Sequence, residues 1–302
     1  MHRVRALLFL ASASLAGAAA SAQTATDQPY KPIAVKSADG VMLAVQEWGN
    51  PTGRAIVFVH GFSQSNLAWS RQVKSDLAKE FRLITFDLRG HGNSDKPLAP
   101  EAYRESKRWA DDIAAIILQM GLLKPVLVGW SYGGRVINDY LTHYGDGAIA
   151  GINYVDATST TKPGVYGDGG KVMALMVSDD LATSIEATKK FLVACFNVQP
   201  SADDMATALA YNMMVPATVR GFLGGRPATY DDVLRKIAVP VLVTQGRQDR
   251  VVLPAMSEHT LAVVKHARSA FYEGVGHSPF YETPDRFNAD LAAFVRSIPR
   301  NR

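Results

Sequence analysis

The sequence predicts an α/β fold: a mostly parallel central sheet flanked by helices, with a helical insertion between two of its strands. Three observations carry that expectation. From about residue 55 to about residue 155, short apolar runs alternate with longer amphipathic ones, the rhythm of buried strands and helical crossovers. Between about 157 and 235 that rhythm stops and only helical patterns appear. It resumes with VPVLVTQG (239–246) and ARSAFYEG (267–274) before a final helix.

Each element has its own signal. VMLAVQEW (41–48) alternates as a hairpin strand should, after the turn signal SADG. RAIVFV reads as a buried strand, followed by Trp69, Val73 and Leu77 at helical spacing. FRLITF is the next strand, and a helix is expected around Trp109–Met120. KPVLVG then leads into a helix from Ser131 to about Tyr144, and AIAGINYV is the strand after it. Uninterrupted apolar runs of this kind suit strands buried on both faces. In the insertion, Met205, Leu209 and Met213 recur four apart behind SADD, whose serine and acidic residues suit a helix start. The last helix, TPDRFNADLAAFV, has Pro284 at a permissible first position and puts Phe287, Leu291, Phe294 and Val295 on one face.

Organisation follows. Residues 1–22 have a basic start (MHRVR), an apolar stretch of 15 residues and small residues Ala20-Ser21-Ala22, which is the pattern of a secretory signal peptide cleaved after Ala22. The apolar stretch is shorter than the ~20 residues a spanning helix needs, and no later segment is apolar for long enough. Export to the periplasm or medium is therefore expected, with no transmembrane anchor in the mature chain. Residues 23–30 are polar and expected to be a flexible arm. The core would comprise 31–156 and 236–302, with the helical cap at 157–235.

Composition is ordinary for a globular chain, 47% hydrophobic and 20% charged. Losing Arg3 and Arg5 with the leader takes the formal charge from +4 to +2 (4 − 2). The remaining basic residues are scattered, which argues against nucleic acid as a partner. The single cysteine, Cys195, lies in KKFLVACF at an apolar helical position and reads as core. Oligomeric state has no sequence signal.

Gly129-Trp130-Ser131-Tyr132-Gly133 matches G-x-S-x-G with a strand before it and a helix after it. A strand that becomes a helix within one residue forces the serine into a strained conformation and leaves room only for small residues two positions away. A serine hydroxyl needs a base. Of seven histidines, His277 in GVGHSPFYETP follows the last predicted strand, where an imidazole reaches the sheet's carboxyl edge. His143 sits at a helix end, and His259 and His266 read as solvated. The base needs an orienting acid: Asp249, after VPVLVTQ, is the first candidate, and Asp156, ending NYV, is its rival. His60-Gly61-Phe62 follows RAIVFV, and the amides of Phe62 and Tyr132 are candidate donors to a developing oxyanion. His60 itself reads as a loop brace. FDLRGHGNSDKP holds Asp87, His91 and Asp95, but one histidine at that spacing fits no common metal set, so it reads as a structural turn and no metal is expected.

Taken together, the HGF loop, the RGHGNSDKP turn, the GWSYGG elbow, the QGRQDRVV turn and the GVGHSPFYE turn resemble the α/β-hydrolase superfamily over nearly the whole mature chain. Within it the chain looks like the capped serine esterases and the cofactor-free haloperoxidase-like members. The resemblance implies Ser131 as nucleophile, Asp249 as acid, His277 as base and Phe62 and Tyr132 as oxyanion donors, with no cofactor. It sets aside relatives that attack with an elbow aspartate, lipases with HGGG, and hydrolases with an elbow cysteine. Trp130, Phe280, Met173, Met176 and Met213 are candidate pocket residues, the methionines being equally suited to packing the cap.

The function expected is hydrolysis of carboxylic esters, lactones among them, through an acyl-enzyme on a small-molecule substrate. Perhydrolysis or acyl transfer shares the first half-reaction and is the alternative. A non-catalytic binding protein on the same fold is a third reading, against which the intact set of three residues stands.

Overall fold

The computed structural model describes residues 29–226 and 229–299. The leader expected over 1–22 and most of the arm expected over 23–30 lie outside the described residues. Tyr30, at the arm's end, packs on Trp48 with ring centroids 4.6 Å apart.

Eight strands form one sheet: β1 (Lys31–Lys36), β2 (Met42–Gly49), β3 (Ala55–Val59), β4 (Arg82–Phe86), β5 (Val126–Trp130), β6 (Gly151–Val155), β7 (Val241–Gly246) and β8 (Arg268–Tyr272). Their order is β1-β2-β4-β3-β5-β6-β7-β8. β1 and β2 pair antiparallel, as does β2 with β4, and every pairing from β4 to β8 is parallel. All residues of β3, β5, β6 and β7 are buried. That is why these strands read as unbroken apolar runs: helices cover both faces, so neither face calls for polar residues.

The helices Ser106–Gln119, Tyr132–Tyr144, Pro254–Val263 and Pro284–Ser297 flank the sheet. The last begins with Pro284 at its first turn and buries Phe287, Leu291, Phe294 and Val295, the face expected from its spacing.

Two local expectations differ from the structure. Trp69, Val73 and Leu77 are all buried but do not share one helix. The segment breaks into a 3-10 turn at Asn66–Trp69 and short helices at Ser70–Val73 and Leu77–Glu80. Ser75 is the cause: its hydroxyl donates to Gln72 O at 2.7 Å and accepts from Leu77 N at 3.2 Å, competing with the helical ladder. In the helix Ala202–Met213, Met205, Leu209 and Met213 are only half-buried, and the buried positions are Ala208 and Asn212. Ser201 does cap that helix, accepting from Asp204 N at 3.1 Å.

Between β6 and β7 the described residues contain helices and no strand. Arg220, 1% exposed, ties them together. Its guanidinium donates to Met176 O (3.1 Å), Ser184 Oγ (3.2 Å), Thr188 Oγ1 (3.3 Å) and Asn212 O (2.5 Å). Burial among neutral acceptors pushes its pKa down to about 10. Cys195 is buried and free, as its apolar setting suggested. No helix among the described residues is long and apolar enough to cross a membrane.

Candidate active site

Ser131 is the single residue between β5 and the helix Tyr132–Tyr144, at φ 54° and ψ −117°. A non-glycine residue at positive φ is strained, and here the backbone is pinned on both sides. Ser131 N donates to Val155 O at 2.9 Å, while Ser131 O accepts from Gly134 N at 3.0 Å and Thr158 N at 3.1 Å. The flanking glycines answer to close approach. A Cβ on Gly133 would lie 2.3 Å from Val59 O, and one on Gly61 would lie 3.2 Å from Ser131 Cβ. The His60-Gly61-Phe62 loop therefore abuts the serine directly. Tyr132 opens the helix, so its amide has no acceptor within that helix.

His277 follows β8, and the structure brings it to the same edge. Its Nδ1 is 2.6 Å from Asp249 Oδ2, the length of a charge-assisted hydrogen bond. Trp130, the residue before Ser131, donates its indole N–H to His277 O at 2.7 Å and ties the histidine turn to the elbow. With Nδ1–H committed to the carboxylate, Nε2 presents its lone pair. Nε2 is buried and has no hydrogen-bond partner among the described residues.

Asp249 is well supplied with donors. Oδ1 accepts from Val251 N at 2.7 Å and Val252 N at 2.9 Å, and Oδ2 accepts from Gln245 Nε2 at 3.3 Å as well as from His277. Asp156 is fully buried beside it and accepts from Gly246 N at 2.8 Å through Oδ1. Burial, and then the neighbouring Asp249 charge, push the Asp156 carboxyl well above the usual range. Of the two acids left open by the sequence, Asp249 is the one hydrogen-bonded to the imidazole. Asp156, Asp249 and His277 are also close enough together to suggest a cation site, each offering an atom within 4.8 Å of the others. The donor set argues otherwise: both Asp249 oxygens already face N–H groups, which repel a cation. Asp87, His91 and Asp95 do not converge. Asp87 accepts from Asn66 N (2.8 Å) and Asn93 N (2.9 Å), and Asp95 accepts from Met42 N (2.8 Å).

His60 and His91 brace the loops around the serine. His60 Nε2 accepts from Leu88 N at 3.0 Å and its Nδ1 donates to Gly61 O at 2.9 Å. His91 Nε2 accepts from Ser63 N at 3.2 Å, and its Nδ1 donates to Arg89 O at 2.9 Å. Both rings are 0% exposed, so burial holds them neutral, His60 down to about 4 and His91 to about 3 from an ordinary 6.5. The linkage has a definite sign. As pH falls below the unfolded value the unfolded chain takes up protons that the folded chain refuses. Stability is fully present above about pH 6.5 and is lost toward pH 4 and pH 3. Between neutrality and about pH 5 each ring should cost the fold about 2 kcal/mol. Denaturant midpoints measured across that range should fall, and should fall less for His91→Gln; equal losses in both chains would refute the assignment.

Ser131 opens on a cavity of about 260 Å³ whose wall includes Phe62, Arg135, Thr158, Tyr166, Met173 and Val252. Of the five pocket residues expected from sequence, Met173 lies on this wall and four do not. Trp130 and Phe280 pack instead with Trp69, at 6.5 and 4.5 Å between ring centroids. The Trp130 ring also lies 5.6 Å from the His277 ring, so it supports the histidine without lining the cavity. Met176 is fully buried in the insertion, and Met213 sits with its Sδ 3.6 Å from Arg220 Nη2. Val251, Tyr166 and Arg135 were not expected here. Arg135 had a legible signal, lying one helical turn after Ser131 and so on the same face. His259, expected to be solvated, is half-buried and paired with Asp231 at 2.8 Å. A larger hollow of about 660 Å³ lies at the amino ends of the strands, with Arg54, Arg82 and Lys124 on its wall. It contains neither serine nor histidine and lies at the opposite edge of the sheet from Ser131.

A mostly parallel eight-stranded sheet, a serine at positive φ on a strand-to-helix elbow, and an aspartate-bound histidine at the same edge define a class of protein. The chain belongs to the alpha/beta hydrolase family, whose sequence model matches residues 56–290. It is 41% identical to a crystal structure provisionally assigned as an aryl esterase of Burkholderia cenocepacia, with a TM-score of 0.85 over 88% of this chain and 98% of that one. To an esterase from Rhodococcus sp. it is 34% identical, with a TM-score of 0.83 over 90% of this chain and 100% of that one. The bifunctional esterase/perhydrolase of Acinetobacter calcoaceticus is 27% identical, over 87% of this chain and 99% of the relative.

Proposed function

We propose that the protein is an exported serine hydrolase of carboxylic esters, acting in the periplasm or the medium. Ser131 attacks the ester carbonyl while Nε2 of His277 takes its proton and passes it to the leaving alcohol. Asp249 holds the imidazole in the required tautomer and stabilises the cation that forms. The amides of Phe62 and Tyr132 meet the negative charge that develops on the carbonyl oxygen. Water, deprotonated by the same imidazole, then releases the acid. The segment 157–235 serves as a cap: Tyr166 and Met173 form part of the cavity wall over the serine.

One observation carries this reading. His277 has one nitrogen held by Asp249 at 2.6 Å and the other buried without a partner, at the same edge of the sheet as a strained serine that opens on a cavity. A ring nitrogen whose lone pair is free of other partners is what proton transfer at that place requires. Transfer of the acyl group to peroxide is a second reading, favoured by the relative named as a bifunctional esterase/perhydrolase.

Labelling by a fluorophosphonate, with turnover of nitrophenyl esters of increasing acyl length, tests the proposal. Covalent labelling and a clear optimum at short acyl chains are expected from the cavity size. A chain that is neither labelled nor able to turn over any ester would be a binding protein on a hydrolase fold. Peroxide that accelerates loss of the ester and yields peracid would favour the second reading.

A further inference from the structure

Asp156 is the rival acid that does not touch the imidazole through a hydrogen bond, yet its setting is too unusual for a bystander. It directly follows β6 at φ 44°, a strained conformation for a residue with a side chain. Its amide donates to Thr244 O at 2.9 Å, so the backbone is held there by β7. The carboxyl group is 0% exposed.

Its two oxygens have different surroundings. Oδ1 accepts from Gly246 N at 2.8 Å. Gly246 is the crossing point of two turns: a Cβ there would lie 1.8 Å from Gly276 O and 2.6 Å from Val275 O. Gly246 leads into the Asp249 turn, and Gly276 precedes His277. Through Oδ1, then, Asp156 fastens the place where the acid turn and the histidine turn touch. Oδ2 is buried and has no hydrogen-bond partner among the described residues. An ionised oxygen left bare beside a second carboxylate is a costly arrangement, whereas a protonated one turns it into a donor. The acceptor beside it is Asp249, which already accepts from His277 and has an oxygen within 4.8 Å of the Asp156 carboxyl group.

We propose that Asp156 is a positioning residue: a neutral carboxyl group that donates its O–H from Oδ2 to Asp249 while its Oδ1 clamps Gly246. The proposal rests on the hydrolase reading above, since it assigns how the acid of that site is held. A neutral donor secures Asp249 without placing a second negative charge against the imidazole. The other titratable groups facing Asp156 act in the same direction. Glu282, which holds the amides of Gly276, Asn197 and Val198 at 2.8, 3.0 and 2.8 Å, adds negative charge nearby. Cys195 and Tyr272, also within its field, are both pushed up and stay neutral. His277, the basic group beside the two carboxyl groups, has its Nδ1 committed to Asp249.

Asp156→Asn is the first test, because the amide keeps one donor and one acceptor and asparagine tolerates positive φ. It should leave kcat within about threefold and leave the acid limb of the kcat/KM profile in place. An ionised Asp156 gives a different result: removing its charge would lower that limb by about one pH unit. Asp156→Gly keeps the backbone conformation but removes the carboxyl group, and should lower kcat by about tenfold or more with little change in KM. Infrared difference spectra of wild type against Asp156→Asn should show the C=O stretch of a protonated carboxyl group at neutral pH. Absence of that band, or a displaced acid limb in Asp156→Asn, overturns the proposal. The infrared comparison does not depend on the glycine variant folding. Failure of fluorophosphonate to label the wild type would sink the hydrolase reading instead, and the band would still report the proton on Asp156.

Discussion

Ser131→Ala is expected to reduce kcat on a nitrophenyl ester by about 10⁵- to 10⁶-fold while leaving KM nearly unchanged. The size of the effect follows from the role. Without the hydroxyl no acyl-enzyme forms, and what remains is the contribution of the oxyanion donors and of binding. The substitution removes one oxygen from a site whose backbone is already over-determined. Ser131 is held by Val155 O, Gly134 N and Thr158 N, none of which uses the side chain. Alanine should therefore occupy the elbow with the same strain, and the melting temperature should move little. Steady-state kinetics with a matched fluorophosphonate experiment check this: the variant should take up no label. Activity within tenfold of wild type, or undiminished labelling, would mean that the nucleophile is elsewhere.

The second large effect is expected from Asp249→Asn, a loss of about 10⁴ in kcat. The carboxylate oxygen that faces Nδ1 accepts a proton-bearing nitrogen, and the other accepts the amides of Val251 and Val252 at 2.7 and 2.9 Å. Asparagine has one oxygen for these two tasks. The backbone amides cannot move, so the oxygen goes to them and the NH₂ group faces the imidazole. Nδ1 must then become the acceptor, Nε2 carries the proton, and the base is lost. Geometry is preserved while the tautomer is wrong, so the pH-rate profile should lose its ordinary acid limb without a change in fold. If Asp249→Asn keeps near-full turnover, the orienting role belongs to Asp156.

Much of this site was legible because its demands are local. The serine elbow needs small residues at fixed distances, and Gly129, Ser131 and Gly133 satisfy a steric rule that operates within five residues. His60 and the RGHG turn were likewise readable as braces. Arg89, fully buried, is taken up by Asp112 (2.7 Å) and Asp39 (2.8 Å), which fastens that turn to the rest of the fold. What the residue pattern misjudged was side-chain direction. Trp130 and Phe280 have the apolar bulk of pocket residues, and Met176 and Met213 lie in the right segment. All four nevertheless serve packing. Neither hydrophobicity nor spacing distinguishes a residue that lines a cavity from one that fills the core beside it.

The amino-acid sequence by itself determined the class of fold, most of the order of strands and helices, and which serine and histidine are the candidates for the site. The reason is that buried strands, strand-to-helix turns and helix starts are specified by neighbours within a few positions. Only the tertiary structure decided which aspartate meets His277, which side chains wall the cavity, and that Gly246 is where two turns cross. Those outcomes depend on strand order and register, which bring residues from β6, β7 and the turn after β8 to within a few ångströms of one another. No short-range pattern encodes a distance of that kind.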